Sequence, residues 1–226
     1  MRSRFDVVVS SILTICAVAI AGSVVYRTFA APPVMQPGRM SAFYVDRWEE
    51  ALEIGYPLTG HSKQVPGVAT LVVVADLECP ACRGFYSTEA ELVAEYGDRL
   101  KVIHVSHPLD YHRFGRASAQ AADCAEQLGS FKAFVDVVYA KQDSLGLKSW
   151  TSYASEAGIQ DSTRIAQCAT DQGVYPRIDA GLEYGRTIQL EGTPTVLLDG
   201  WRFAGVPSRE EVRSKVDSVL QAKSAG

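Results

Sequence analysis

A chain of 226 residues, 47% apolar and 21% charged, can bury one sizeable core and is too short for two comfortable domains once an N-terminal segment is set aside. The formal net charge of −4 comes without a basic stripe anywhere along the chain, which excludes the electrostatic footprint of a nucleic-acid binder. No nucleic-acid partner is expected.

The chain opens Met1-Arg2-Ser3-Arg4 and then runs uncharged from Val7 to Tyr26. That apolar run is about 20 residues, enough for one helix to cross a bilayer. A cleaved signal peptide has a shorter apolar region of about 7 to 15 residues, and Thr28-Phe29-Ala30 would be its cleavage site. The length favours an uncleaved transmembrane anchor over residues 1–29. Arg2 and Arg4 put the N-terminus in the cytoplasm by the positive-inside rule, with Arg27 weakening the asymmetry, so the bulk of the chain faces outside. Cys16 lies mid-span after Ile15, where a lipidation signal would want a small residue, and reads as a buried thiol.

Residues 30–51, with Ala-Pro-Pro, Gln-Pro-Gly and little periodic hydrophobicity, read as a spacer ahead of a domain over 52–226. The run Ala69 to Asp76 is short, apolar and β-branched, as a fully buried strand should be. Phe85, Leu92, Val93 and Tyr96 then fall at helical spacing up to Gly97, a helix stop, and a second strand follows at Leu100 to Ser106. Strand, helix, strand of this length is a βαβ unit with parallel pairing, which gives an α/β class.

Residues 111–190, punctuated by Gly129, Gly158 and Gly173 and offering Ser130, Ser149 and Ser162 as N-caps, read as a helical insertion. The chain then returns to β structure. Val196-Leu197-Leu198 and Trp201-Arg202-Phe203 flank Asp199-Gly200, a dipeptide suited to a type I′ hairpin. Ser208 and Glu211 make a capping box, and Val212, Val216, Val219 and Leu220 form one apolar stripe on a last helix. The order βαβ, helical insert, ββα is the thioredoxin topology with an insertion.

Four of the five cysteines lie beyond the apolar run, in the part expected to be exported, where an oxidising compartment permits disulfides. Cys79 and Cys82 form a C-x-x-C pair at the junction of strand and helix. A cysteine at a helix N-terminus meets unpaired N–H groups and the positive end of the dipole, which favour its thiolate. Cys79 is therefore the expected nucleophile. Cys82, one turn on, is close enough to resolve a mixed disulfide formed at Cys79, and Pro80 suits the first helical turn. The alternative is a structural zinc site, but no second knuckle supplies the four ligands it needs, and only His104, His107 and His112 are candidates. These read as strand-end and loop residues and His61 as a surface residue, so no metal and no cofactor is expected.

Asp76-Leu77-Glu78-Cys79-Pro80-Ala81-Cys82 resembles the active-site segment of DsbA-like thiol-disulfide oxidoreductases, and Gly192-Thr193-Pro194-Thr195 resembles their cis-proline loop. The likeness extends through His107-Pro108-Leu109, the insert, the hairpin and the last helix. It implies that Pro194 is cis and packs against the cysteines, with Thr193 offering backbone hydrogen bonds to an extended substrate peptide; a trans proline opening a strand is the alternative. It also implies a dithiol oxidase acting on protein thiols and reoxidised by a membrane partner. A disulfide reductase or isomerase would use the same residues at another redox poise, and a non-catalytic binding domain would keep only the shell.

In one place the sequence departs from the family. Six residues before Cys79, where the resemblance leads one to expect a buried acid, stands Val73, while Asp76 and Glu78 are either substitutes or solvated strand-end charges. Some members resemble this chain in carrying a second disulfide in the insert, which implies a Cys124–Cys168 bond; two buried free thiols are the alternative.

Overall fold

The computed structural model describes residues 43–59 and 65–224. The expected anchor over 1–29, Cys16, His61 and most of the spacer lie outside them. Among the described residues no helix is long and apolar enough to cross a membrane.

In chain order the elements are β1 (Phe43–Tyr44), α1 (Glu50–Ile54), β2 (Tyr56–Pro57), β3 (Ala69–Ala75), α2 (Pro80–Tyr96), β4 (Leu100–Ser106), α3 (Gly115–Gln127), α4 (Phe131–Ala140), α5 (Trp150–Glu156), α6 (Ser162–Thr170), α7 (Pro176–Thr187), β5 (Thr195–Leu198), β6 (Trp201–Arg202) and α8 (Arg209–Ser224). The strands make one six-stranded sheet in the order β1-β6-β5-β3-β4-β2. β3 runs parallel to β4, from Ala69 opposite Leu100 to Ala75 opposite Ser106, and antiparallel to β5. The crossover helix α2 makes that parallel pairing possible.

Both central strands are covered on both faces, which is why β3 reads as a nearly continuous apolar run, while β4 carries Lys101 and His104 among its apolar residues. Alternate side chains go to opposite faces. Leu71, Val73 and Ala75 join the core that includes Phe85 and Leu92 of α2, Val212 and Val216 of α8, and the helical insert. Val72 and Val74 join Ile103, Val105, Trp48, Tyr184 and Ile188 on the other face. There α7 comes close enough to β4 that a Cβ on Gly181 would lie 2.1 Å from the Ser106 carbonyl oxygen.

The folded body starts earlier than the expected boundary at residue 52. Phe43 and Tyr44 pair with Arg202 and Trp201, and Trp48 and Ala51 are buried. The second face of the sheet needs a cover, and Val45, Trp48, Ala51 and Leu52, at three- and four-residue spacing, provide it.

Local signals hold at most element ends. Ser208 and Glu211 form the reciprocal cap of α8. Asp199 and Gly200 both have positive φ, 42° and 85°, as a type I′ turn requires. Ser149 caps α5. The N-cap of α6 is Asp161 rather than Ser162, and Ser130 occupies the N-cap of α4 without a side-chain capping bond.

Candidate active site

β3 delivers the chain to a turn, Asp76-Leu77-Glu78, that seats Cys79 at the N-cap of α2 in extended conformation, φ −71° and ψ 120°, with Pro80 at the first helical position. The turn is held from several sides. The Cys79 amide donates to the Asp76 carbonyl at 3.1 Å. Buried Gln142, just beyond α4, donates from Nε2 to the carbonyls of Leu77 (2.8 Å) and Cys79 (3.0 Å).

Asp76 is the hub. Its carboxylate accepts from the amides of Glu78 (2.8 Å) and Leu109 (2.7 Å) and pairs with His112 Nδ1 at 2.8 Å. Its own amide donates to Cys82 Sγ at 3.5 Å. With its residue 2% exposed, Asp76 is a buried anchor and not a solvated strand-end charge. Glu78, half-buried, accepts from the Phe114 amide, which stitches the same loop to the turn.

The two cysteines, both free thiols, stand in different environments. Cys82 is 2% exposed, and burial pushes its thiol far above the ordinary range, with the neighbouring Cys79 adding to the rise. Cys79 is shifted the other way, from 9.0 to about 5. The hydrogen bond from the Cys82 thiol is the largest cause; burial opposes it, and the Thr193 side chain and the amides of Cys82 and Ala81 lower it further. As a thiol, Cys79 also donates to the Thr193 carbonyl at 3.3 Å, which favours the protonated form but is outweighed.

The Thr193–Pro194 peptide bond is cis and lies against the cysteine pair. The Thr193 hydroxyl is buried with no hydrogen-bond partner among the described residues, so it is available to the Cys79 thiolate. Thr193→Val, which removes that hydroxyl at constant shape, is expected to raise the Cys79 thiol by about one unit, the scale of a hydrogen bond to a partly solvated charge. Titration of the thiolate absorbance near 240 nm measures it, and an unmoved midpoint would remove Thr193 from the account.

Away from the site, Cys124 on α3 and Cys168 on α6 form a disulfide that spans 44 residues of sequence. Chain-entropy models assign a loop of that size about 4 kcal/mol. Among the described residues no three His, Cys, Asp or Glu side chains gather as a metal site. The histidines have other partners. His104 lies inside β4 and not at a strand end, fully buried against Glu89, while His107 Nδ1 meets the Gly181 carbonyl at 3.1 Å. Sequence reasoning did not find the roles of Gln142, His112 or the Glu89–His104 pair.

The fold is shared with known oxidoreductases. A thioredoxin-like oxidoreductase from Silicibacter pomeroyi DSS-3 superposes with a TM-score of 0.64 at 19% identity, over 78% of this chain and 99% of that one. DsbA from Xylella fastidiosa gives 0.56 at 18% identity, over 77% and 94%. By sequence, the chain is 30% identical over 157 residues to the Na(+)/H(+) antiporter NhaA of Herminiimonas arsenicoxydans. That match takes in 70% of this chain but only 24% of the antiporter, so the chain spans about a quarter of that relative's length. A family model described as thioredoxin matches residues 67–218, and the chain belongs to that family.

Proposed function

We propose that this chain is an extracytoplasmic thiol-disulfide oxidoreductase working as a dithiol oxidase on exported proteins, with Cys79 as nucleophile and Cys82 as resolving cysteine. The observation that carries the reading is the contrast between the pair: an N-cap thiol held near 5 beside a buried thiol pushed far up. A substrate thiolate attacks Cys79 in the oxidised pair, and Cys82 departs and is protonated. A second substrate thiolate then attacks the mixed disulfide, and Cys79 leaves readily as a stabilised thiolate. The two sulfurs carry both electrons, so the reaction calls for no cofactor. Thr193 and Pro194 supply the backbone edge against which an extended peptide docks.

The compartment is supported by a fold neighbour described as a periplasmic thioredoxin-like protein from Salmonella enterica serovar Typhimurium, with a TM-score of 0.59 at 18% identity. Residues 1–29 would anchor the domain in the membrane, beside a membrane redox partner that reoxidises it.

The test is the equilibrium reduction potential against glutathione, with a Cys124→Ser/Cys168→Ser control to isolate the active pair. At pH 7 a thiol held near 5 rather than 7 favours the reduced form about fiftyfold, worth about 50 mV for a two-electron couple. The expected potential is therefore well above the roughly −270 mV of thioredoxin. A value at that level would make the chain a reductase, and failure to form any Cys79–Cys82 disulfide would sink both readings.

A further inference from the structure

The sheet ends in two edge strands, and they are built differently. The β2 edge carries Tyr56, fully buried, and Pro57, which has no N–H to offer, as a blunted edge should. The β1 edge carries Phe43 and Tyr44, 38% and 44% exposed. Beside them on β6 stands Trp201, 43% exposed, its ring 5.7 Å from that of Tyr44 in an edge-to-face arrangement. Phe43 and Tyr44 alternate across the strand, so aromatic rings flank this edge on both sides.

An exposed aromatic edge calls for a cover. A second copy is a poor one, because a two-residue strand offers too few hydrogen bonds to hold another strand. The place of the edge in the chain points elsewhere. The described body begins at Phe43, and residues 30–42, 13 in number, separate it from the expected membrane span. Fully extended, they cover at most about 45 Å. Along the chain, no part of the body is tied closer to the bilayer than this edge.

The surrounding charges fit a neutral interface. Lys215 lies 4.7 Å over the Trp201 ring and Arg202 lies 5.3 Å over that of Phe43. Lys215 shares its surface with Glu210 and Glu211, and exposed Arg47 pairs with Glu50. Aromatic rings amid balanced charge have the composition of the belt that proteins place at the membrane–water boundary, whereas binding to anionic lipid takes a surplus of lysine and arginine.

We propose that the β1–β6 edge, through Phe43, Tyr44 and Trp201, seats this domain on the lipid surface at headgroup depth. The inference rests on the reading of residues 1–29 as a membrane anchor. A patch this small suffices once tethered, because the tether keeps it at high local concentration. Headgroup depth also leaves water for the unpaired amides of the edge strand. In register, Tyr44 and Trp201 stand level with Leu198 and Leu71, near the start of β3, whereas Cys79 follows its end. Four residues along the strand are about 13 Å and three strand spacings about 14 Å, which puts Cys79 about 20 Å from the seat. Docking therefore leaves Cys79 uncovered, and a membrane redox partner has to present its sulfurs at that distance.

The test uses the full chain in phosphatidylcholine vesicles. The emission of Trp201 is the difference between wild type and Trp201→Phe, which leaves Trp48 and Trp150 in place. For a ring seated about 5–10 Å into the headgroup–acyl boundary, bromination of the acyl chains should quench that emission about twofold. Salt at about 1 M, where the screening length falls to about 3 Å, should not release it. Phe43→Trp adds a probe on the other side of the edge, needs no change at Trp201, and should be quenched alike. Tyr111→Trp, at a position 78% exposed on the loop beside the active-site turn, should add emission that acrylamide reaches and bromine does not. Unquenched emission at either edge probe would overturn the seat: access to acrylamide would mean a bare edge, and exclusion of acrylamide a cover of protein, whether a second copy or residues 30–42. Release by salt, or bromine quenching of the Tyr111→Trp probe, would overturn it as well. In each of these cases the chain still resists alkaline extraction from the vesicles. A chain that is extracted has no anchor, and then the anchor reading and this inference fall together, with the redox chemistry of Cys79 and Cys82 untouched.

Discussion

The reduced protein is expected to gain stability over its disulfide form as pH rises from about 5 to about 9. Cys79 has a folded value near 5 against 9.0 for an ordinary thiol, so within that window the unfolded chain binds more protons than the folded one. Stability therefore increases with pH, is fully present above the unfolded value, and is lost as pH falls through the folded one. Each unit is worth about 1.4 kcal/mol. Cys79 is the less deeply buried of the pair, 7% exposed against 2% for Cys82, and solvent screening reduces the full sum to about 2–3 kcal/mol. Cys82, shifted upward, acts in the opposite sense only above about pH 9. The disulfide form has neither thiol, while His104, His112 and the carboxylates are present in both forms. The quantity to measure is thus the difference in denaturation midpoint between the two forms at each pH. Parallel curves would mean that no thiolate is stabilised, and the oxidising character inferred for the pair would go with it.

That linkage was partly legible in the sequence. A C-x-x-C where an apolar β-branched run meets a helical pattern fixes Cys79 at a helix start, and that position is what assigns it the expected part of nucleophile and Cys82 that of resolving cysteine. The βαβ order, the Asp199-Gly200 turn and the Ser208/Glu211 cap were equally readable, because each depends on residues close together in the chain. What lay beyond reach was long-range. Gln142 reaches the Cys79 carbonyl from 63 residues away, and His112 meets Asp76 across 36.

One signal was present and unread. Glu89 falls on the stripe of Cys82, Phe85, Leu92 and Tyr96 that buries α2, a position where an unpaired carboxylate is untenable. Likewise His104 sits between Ile103 and Val105 in a strand buried on both faces. Two ionisable residues at obligatorily buried positions imply that they meet, though only the fold shows that α2 lays one over the other. The early start of the domain was hidden for a different reason. Two-residue strands such as Phe43–Tyr44 carry no periodicity of their own and exist only because β6 offers them an edge.

Asp76 gives the sharpest separation of local from long-range causes. Asp76→Ala leaves two backbone amides and His112 without their acceptor in a site from which water is excluded. Removing one partner of a buried, hydrogen-bonded pair costs about 3–5 kcal/mol, which for a domain of this size lowers the melting temperature by roughly 10 °C. Asp76→Asn retains one acceptor oxygen but presents an N–H₂ to donors it cannot satisfy, so it should recover less than half of that loss. The consequence reaches the chemistry, because the same residue's amide meets Cys82 and its carbonyl receives the Cys79 amide. Once the 107–114 loop is released, the turn that presents Cys79 at the helix end loosens, and the Cys79 thiol should drift upward toward its ordinary value. Thermal unfolding and thiolate titration of the same variants test both halves. A stable Asp76→Ala protein with an unmoved Cys79 midpoint would show that Gln142 and the helix hold the turn unaided.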